Sequence, residues 1–371
     1  MKRIELRPVD TWFFRDATPF TAEVVPQEGV QSIFPPHPPT VAGALRAAIA
    51  ACNGWQGVGR WPEHLNEVLG DGPDDLGTLS FVGPLVLQNS EPLFPCPRHV
   101  LGAADASGRW VPRALLRPGP PVQCDLGDAV RLPQIVRRDG DMPKLKPPRD
   151  IWITTPGLTR VLGGALPCGT EIVRAGDLWT GEERIGLERN RDTRTAEQGM
   201  LYSTRHVRLH KGISLGLQVE GVPGHWRFPR GVLRLGGESR LAECLEWTGA
   251  VSVRQNGRRV RGVFAVVALT PLDLEWSRGT FDGLALAGAQ VVSVCAGRPL
   301  RIGGWDSLAG RPLPLRSVLA PGSVLFCEAS RQATSQTVAK APWGLHRMGA
   351  RTEWGFGLVA VGAWPSKQES H

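Results

Sequence analysis

The chain has 371 residues, enough for two domains with separate cores, and 42% of them are hydrophobic, which excludes a chain that is disordered throughout. The counts of 45 Gly and 32 Pro predict many turns and short strands and argue against a helical bundle. The net charge of +8 favours a phosphate-rich partner. No apolar run reaches the roughly eighteen residues that a membrane span needs, and residues 1–10 lack the apolar core of a signal peptide.

The seven cysteines are scattered along the chain, and none forms a CxxC pair or a Cys/His cluster with zinc spacing. Scattered cysteines of this kind are typical of small buried hydrophobic side chains in a reducing compartment. We therefore expect a cytoplasmic protein with no metal site and no cofactor.

The first 46 residues read as a strand, a loop and a helix start. A short apolar run leads into Trp12–Phe20, WFFRDATPF, and a loop later follows Pro38–Arg46, PPTVAGALR. Arg15 beside Asp16 in an apolar block either satisfies that carboxylate or projects toward an anion, because lone buried charges are unfavourable. Pro39 suits the first turn of a helix, and Thr40 is predicted as its N-cap.

The next hundred residues carry weaker signals. We expect a short helix over 62–69 and a strand over 78–87 that its Gly-Pro pair marks as an edge strand or a bulge. Residues 88–150 are rich in proline and lack periodicity, which predicts an irregular insertion with hairpin pieces. Its basic tail, 131–149, is either a solvated loop or a source of sequence-independent phosphate contacts.

Residues 184–205 alternate five arginines with acidic residues. On charge pattern alone this favours an exposed loop held by ion pairs, with a strand beginning at Tyr202, the one tyrosine of the chain. His206 and His210 would project from that strand on one face, about 13 Å apart, which is too far for one metal ion.

The remainder of the chain reads mostly as strands and glycine-rich turns. Strands are predicted over 213–219, 263–269 and 290–294. A strand with a double glycine is expected within 232–242, a turn plus a strand over 321–328, and a glycine-rich turn and strand over 354–362. The segment 254–261 is predicted as a basic hairpin tip and 281–286 as a helical piece. The glycine pairs in LGGESR (235–240) and GGWD (303–306) permit close backbone approach, as does WGFG (354–357). A strand followed by Thr-Pro near 260–271 suggests a second copy of the N-terminal plan.

These blocks, in this order, resemble the RAMP-superfamily subunit of type III-B CRISPR (Cmr) effector complexes that holds the 5′ tag of the crRNA. The matching motifs are the two opening blocks, the ER-x-R-x-T loop before LYS, LGGESR, GGWD and WGFG. The resemblance and the element order imply an α+β fold of two ferredoxin-like (RRM-like) domains. We expect an N-terminal domain over 1–258 with an irregular insertion at about 88–200, and a degenerate C-terminal domain over 259–371.

The resemblance implies a non-catalytic subunit that binds the crRNA 5′ tag, docks the large polymerase/cyclase-like subunit and contacts the backbone RAMP subunits. The residues expected at the RNA are Arg15, Thr40, Arg46, Arg189, Arg191, Tyr202, Gly236, Gly237, Arg240, Trp305, Gly355, Phe356 and Gly357. Two alternatives stay open: the equivalent type III-A (Csm) subunit, and a metal-independent RAMP endoribonuclease that processes crRNA precursor. For the nuclease, His37 would be the best single acid–base candidate.

Overall fold

The computed structural model describes residues 1–15, 30–125, 127–135, 144–189, 193–253, 263–277, 280–282, 289–329 and 343–363. Over these ranges the protein consists mostly of strands, with three α-helices: α1 (Pro38–Cys52), α2 (Asn66–Leu69) and α3 (Thr155–Leu162). The expected mixture of strands with a few helices, an α+β protein, is confirmed at this level. Within the described ranges, no helix combines the length and apolar character needed to cross a membrane.

The strands of the first 253 residues are β1 (Lys2–Pro8), β2 (Val30–Gln31), β3 (Ser80–Gln88), β4 (Glu91–Pro95), β5 (Val100–Ala104), β6 (Trp110–Cys124), β7 (Gly127–Ile135), β8 (Ile151–Thr154), β9 (Ile172–Arg174), β10 (Trp179–Arg189), β11 (Ala196–Leu209), β12 (Ile213–Glu220), β13 (Gly231–Arg234) and β14 (Leu241–Glu246). Those after residue 262 are β15 (Val263–Ala268), β16 (Glu275–Ser277), β17 (Thr280–Asp282), β18 (Ala289–Cys295), β19 (Leu300–Ile302), β20 (Trp305–Asp306), β21 (Arg311–Pro312), β22 (Arg316–Val318), β23 (Val324–Ala329), β24 (Gly344–Arg347) and β25 (Leu358–Ala363).

Two antiparallel sheets form the frame. The larger has eight strands in the order β13-β14-β1-β12-β3-β4-β8-β9, and the smaller has five in the order β18-β23-β15-β25-β24. Two further sheets have three strands each. One is the long hairpin β10-β11 with β2 paired to β11, and the other has the order β5-β6-β7. The C-terminal segment returns to the larger sheet, where Phe81 in β3 donates its N–H to the carbonyl of Glu353 at 2.7 Å.

The helix α1 covers one face of the larger sheet because its apolar residues recur at helical spacing. Val41, Leu45 and Ile49 are fully buried and lie four residues apart, on one side of the helix. Pro38 is the first helical residue, where its missing N–H breaks no hydrogen bond. The prediction that Thr40 is the N-cap is wrong: the cap position is occupied by His37, without a side-chain cap.

The larger sheet buries a different hydrophobic core on each face. Val86 and Trp152 belong to the core under α1, whereas their chain neighbours Leu85 and Ile153 belong to the core shared with the five-stranded sheet. This follows from the strand period of two, which sends successive side chains to opposite faces. A sheet covered on both sides explains why β3 is apolar without alternation.

Three predicted local structures are only partly right. The hairpin pieces expected within residues 88–150 are confirmed in β5-β6-β7, but the segment is more regular than predicted, because register shifts near Pro118 and Pro121 let the prolines remain within a ladder. Residues 184–189 and 196–205 lie in the paired strands β10 and β11 rather than in an exposed loop. The Gly-Pro pair of β3 does accompany a register shift, but β3 lies between β12 and β4 and is not an edge strand.

In the C-terminal part, residues 281 and 282 of the predicted helical piece belong to β17, which pairs with β16, and the rest of that piece lies outside the described residues. The predicted hairpin tip at 254–261 also lies outside them. The division between domains at 258/259 falls in the same gap, so the proposed domain boundary stays a prediction.

Candidate nucleic-acid interface

The glycine turn at residues 236–237 packs against the N-terminal block of the chain. Gly237 donates its N–H to the carbonyl of Phe13 at 2.8 Å. A Cβ built on Gly236, whose φ is +95°, would lie 2.6 Å from the same carbonyl oxygen. The absence of a side chain is therefore required by a contact within the protein. Gly237 itself is exposed.

Arg240 closes this turn and belongs to a cluster of paired charges. Its guanidinium lies 3.2 Å from Glu238 and 3.7 Å from Asp10. Asp10 also binds Arg184 at 2.6 Å and Arg208 at 2.9 Å. The hydrogen bond from Arg184 is the main reason that the pKa of Asp10 is lowered. The positive charges of this cluster are thus largely compensated within the protein.

His206 is buried beneath the same turn. Its Nδ1 lies 3.1 Å from the hydroxyl of Thr11, and its ring stacks on Phe13 at a centroid distance of 5.0 Å. Its Nε2 lies 3.0 Å from Glu238, without the alignment of a hydrogen bond. Burial lowers the pKa of His206, against the opposing effect of the Glu238 carboxylate. With 0% of its surface exposed, this imidazole supports the turn and cannot reach a substrate.

Arg46 has a structural environment that sequence reasoning missed. The side chain is 5% exposed and donates to the carbonyls of Leu69, Gly72 and Asp75. Its guanidinium also lies 5.0 Å from the ring of Trp61 and 5.4 Å from that of Trp354. Burial lowers its pKa to about 10. These donors are occupied by the protein, so Arg46 is not available to a phosphate.

The WGFG segment lies behind Arg46 in the joint between the two sheets. Phe356 is 2% exposed. A Cβ on Gly355 would lie 2.1 Å from the carbonyl oxygen of Gly83, and one on Gly357 would lie 1.8 Å from that of Met348. Both glycines have positive φ, at +95° and +65°. They permit one chain segment to approach another, and no RNA backbone can reach them in this arrangement.

Trp305, one of the aromatic residues predicted at the RNA, is exposed. It is 62% exposed and stands in the short hairpin β20-β21. It lines a pocket of about 210 Å³ together with Gly43 of α1 and with Trp55 and Trp61 of the loop after α1. The rings of Trp55 and Trp61 meet edge to face with centroids 6.1 Å apart. Such a pocket suits a planar ring stacked on tryptophan.

A second, larger cavity of about 450 Å³ lies between the two sheets. Its wall is mostly apolar, with proline and aromatic side chains, and the polar side chains of His37, Arg98 and Asp150 also line it. The start of α1 faces it but offers few donors, because Pro38 and Pro39 have no N–H and the N–H of Thr40 binds the carbonyl of His37 at 3.1 Å. The usual anion site at a helix N-terminus is therefore absent at these residues.

The remaining predicted residues are placed as follows. Arg15 is exposed and its backbone bridges to Ser32, and Thr40 is exposed on the first turn of α1. Arg189 ends β10 and Tyr202 lies within β11, opposite Gly186, rather than at its start. Arg191 lies outside the described residues. The structure thus groups Arg15 and Arg240 near the glycine turn, and Arg46 and Trp305 near the tryptophan pocket.

Sequence reasoning missed Trp55 and Trp61 because they lie outside every helix, strand and motif that the sequence predicted. Three tryptophans that meet from positions 250 residues apart have no local signal. The one available clue was compositional, since 53–61 holds two of the chain's 13 tryptophans.

The sequence matches the family described as "CRISPR-associated protein (Cas_Cmr3)" over residues 4–364, and the chain belongs to this family. No curated protein sequence matches it. Its fold is similar to that of a chain in the cryo-EM structure of the Type III-B Cmr-beta bound to cognate target RNA and AMPPnP, with 16% identity, coverage of 88% of this chain and 86% of that chain, and a TM-score of 0.50. The corresponding structure with cognate target RNA alone gives the same identity and coverage, with a TM-score of 0.51.

Proposed function

We propose that this member of the Cas_Cmr3 family is the third subunit of a type III-B Cmr complex, a non-catalytic protein that binds the 5′ tag of the crRNA. In that complex it would dock the large polymerase/cyclase-like subunit and contact the backbone RAMP subunits. The family match over residues 4–364 and the similarity to chains of the Type III-B Cmr-beta structures support membership of such a complex.

The strand order supports the proposed pair of ferredoxin-like domains. In the larger sheet, β14-β1-β12-β3 is antiparallel and has the spatial order fourth, first, third, second, with α1 lying in the chain between β1 and β3, the first two of these four strands. The smaller sheet repeats this order in β25-β15-β23-β18. This is the arrangement of the split βαβ motif. Each half would then contribute loops to one RNA-binding surface.

The observation that carries the RNA-binding proposal is the tryptophan pocket. A 62% exposed tryptophan from the C-terminal half overhangs a pocket whose other walls come from α1 and the loop after it. A nucleobase of a single strand has the shape and the stacking chemistry for this pocket. Arg15 and Thr40 are exposed and are proposed to contact the adjoining backbone.

The test uses the full chain and a single-stranded RNA that carries the tag. Trp305→Ala is expected to weaken binding about tenfold or more, since stacking on one aromatic side chain contributes roughly 1–3 kcal/mol. Trp305→Phe retains a ring and should recover most of the affinity. Because Trp305 is exposed, both variants should unfold at the wild-type temperature. Equal affinity of the alanine variant and the wild type would remove the pocket from the site.

The proposed arginine contacts are tested separately. Replacing Arg189 and Arg191 together by Ala should leave the fold intact and make the dependence of log affinity on log salt shallower by about 1.4, or 0.7 per lost phosphate contact to a single strand. An unchanged salt dependence would exclude these two residues.

The competing function, a metal-independent endoribonuclease, has one observation in its favour. His37 lines the cavity between the sheets in the company of Arg98 and Asp150. If the protein is non-catalytic, His37→Ala leaves the pool of crRNA in the host unaltered. Accumulation of uncut precursor would favour the nuclease instead.

A further inference from the structure

A basic concavity lies at the C-terminal end of α1, opposite to the end that faces the inter-sheet cavity. Lys2, Arg227 and Arg230 are exposed around an open pocket of about 570 Å³. Trp226 and Phe228, both half-buried against the first core, line the same pocket. We call this surface the WRFPR patch, after residues 226–230.

The three cations of the patch have no acidic partner. In the described part of the chain, the charged side chains of Lys2, Arg227 and Arg230 make no ion pair and no hydrogen bond, and Arg227 is held only through its backbone, which the Asn53 side chain binds at 2.9 and 3.1 Å. The sheet does offer an exposed carboxylate nearby, since Glu246 of β14 lies opposite Ile4. The contrast with Asp10 is informative, because that carboxylate lies within 4.0 Å of three guanidinium groups. The arginines around Asp10 are thus paired with a carboxylate, and Arg46 is saturated by backbone carbonyls, whereas the side chains of Arg227 and Arg230 have neither kind of partner.

The end of the helix does not explain these charges. A helix C-terminus carries the equivalent of about half a negative charge, so three cations exceed what it can balance. Two carbonyls of its last turn are also already bonded. Asn53 binds that of Ile49 at 2.8 Å through its side chain, and its backbone N–H binds that of Ala50 at 3.0 Å. The patch therefore presents an uncompensated positive concavity.

We propose that the WRFPR patch binds the sugar-phosphate backbone of single-stranded RNA, at nucleotides outside those held near the first turn of α1. Cations that alternate with aromatic side chains along one concave surface are the usual means of binding a single strand without reading its sequence. The inference rests on the proposed function. It adds a second contact for the same strand at the far end of α1, whose 15 residues span about 22 Å.

The experiment compares two RNAs on the full chain. One ends with the tag, and the other carries about ten further nucleotides, within the range that one single-strand-binding module covers. Arg227→Ala/Arg230→Ala is measured by fluorescence anisotropy over a salt series. The matched control, Arg113→Ala/Lys211→Ala, removes the same total charge at two other exposed residues that make no ion pair. Arg227→Lys/Arg230→Lys retains the charge.

For the longer RNA, the patch variant is expected to lose affinity and to show a salt slope shallower by about 1.4, while the control keeps the wild-type slope. The lysine variant should recover most of the affinity, and the tag-only RNA should bind all four proteins alike. If the patch and control variants lose affinity equally, or if the patch variant loses affinity equally for both RNAs, the proposal for the patch is overturned, while the proposed function as a tag-binding protein still stands. Unchanged RNA binding with loss of another Cmr subunit on purification would identify an acidic protein surface instead, which also overturns it. Failure of the wild type to bind either RNA overturns the proposed function together with the patch.

Discussion

Replacing Arg46 by Met tests the structural role that the protein gives to this guanidinium. The side chain joins α1 to the carbonyls of Leu69, Gly72 and Asp75 and lies between two tryptophan rings. Met fills a similar volume but leaves the buried carbonyl of Leu69 without a donor, at about 2 kcal/mol. Loss of the two cation–π contacts adds about 1 kcal/mol. We therefore expect the free energy of unfolding to fall by roughly 3 kcal/mol.

Two measurements check this expectation. Urea unfolding gives the overall change, and hydrogen exchange reports the loop after α2, where the N–H of Thr78 binds the carbonyl of Glu67 at 3.1 Å. Exchange at Thr78 should be faster in Arg46→Met. The stability and the exchange rate of Arg46→Lys should lie between those of the wild type and Arg46→Met, because one ammonium group cannot bind three separated carbonyls. The salt slope of RNA binding should stay at its wild-type value, since no phosphate contact is removed.

Stability that is unchanged in Arg46→Met, combined with a shallower salt slope, would refute the reasoning. It would return Arg46 to the RNA site that the sequence alone suggested.

Two further predictions concern stability. Gly355→Ala should destabilise the protein by about 3 kcal/mol, because the new Cβ would lie 2.1 Å from the carbonyl oxygen of Gly83, at a φ of +95°. Gly43→Ala has nothing within 4 Å of its Cβ and should instead stabilise α1 by up to about 1 kcal/mol. The thermal unfolding temperatures of the two variants should therefore shift in opposite directions. Burial lowers the pKa of His99 to about 4 from 6.5, so its contribution to stability is present above pH 6.5 and is lost as the pH falls toward 4. Between pH 7 and 5 that loss of unfolding free energy is about 2 kcal/mol. Measured by urea unfolding, the stability of His99→Gln should lack this part of the pH dependence. Parallel pH profiles of stability for the wild type and His99→Gln would contradict the prediction.

Local patterns in the sequence predicted most of the strands that lie within one stretch of chain. Short apolar runs bounded by turn residues placed β12, β15 and β25 correctly, and the alanine-rich run after Pro38 placed α1. Each of these signals depends on neighbours in sequence. The long strand β6 could not be predicted from local pattern, because whether its prolines fit a strand depends on where the partner strand shifts register.

The contacts of the candidate site could not be predicted in this way. Gly237 binds Phe13, and Gly355 approaches Gly83, in each case across more than two hundred residues of chain. A glycine that admits RNA and a glycine that admits another chain segment have the same sequence. Only the position of the neighbouring backbone distinguishes them, and here that neighbour is the protein itself.

This distinction changes what the resemblance to the family implies. Several motif residues that carry it, including Arg46, Gly355 and Phe356, are buried in contacts within the chain. They hold α1, the N-terminal block and the second sheet together, so they report the fold more directly than the RNA site. The proposed RNA binding would then use exposed groups positioned by that joint, among them Trp305. Since α1 connects the tryptophan pocket to the WRFPR patch, the rigid packing of α1 would fix the distance between the two proposed RNA contacts.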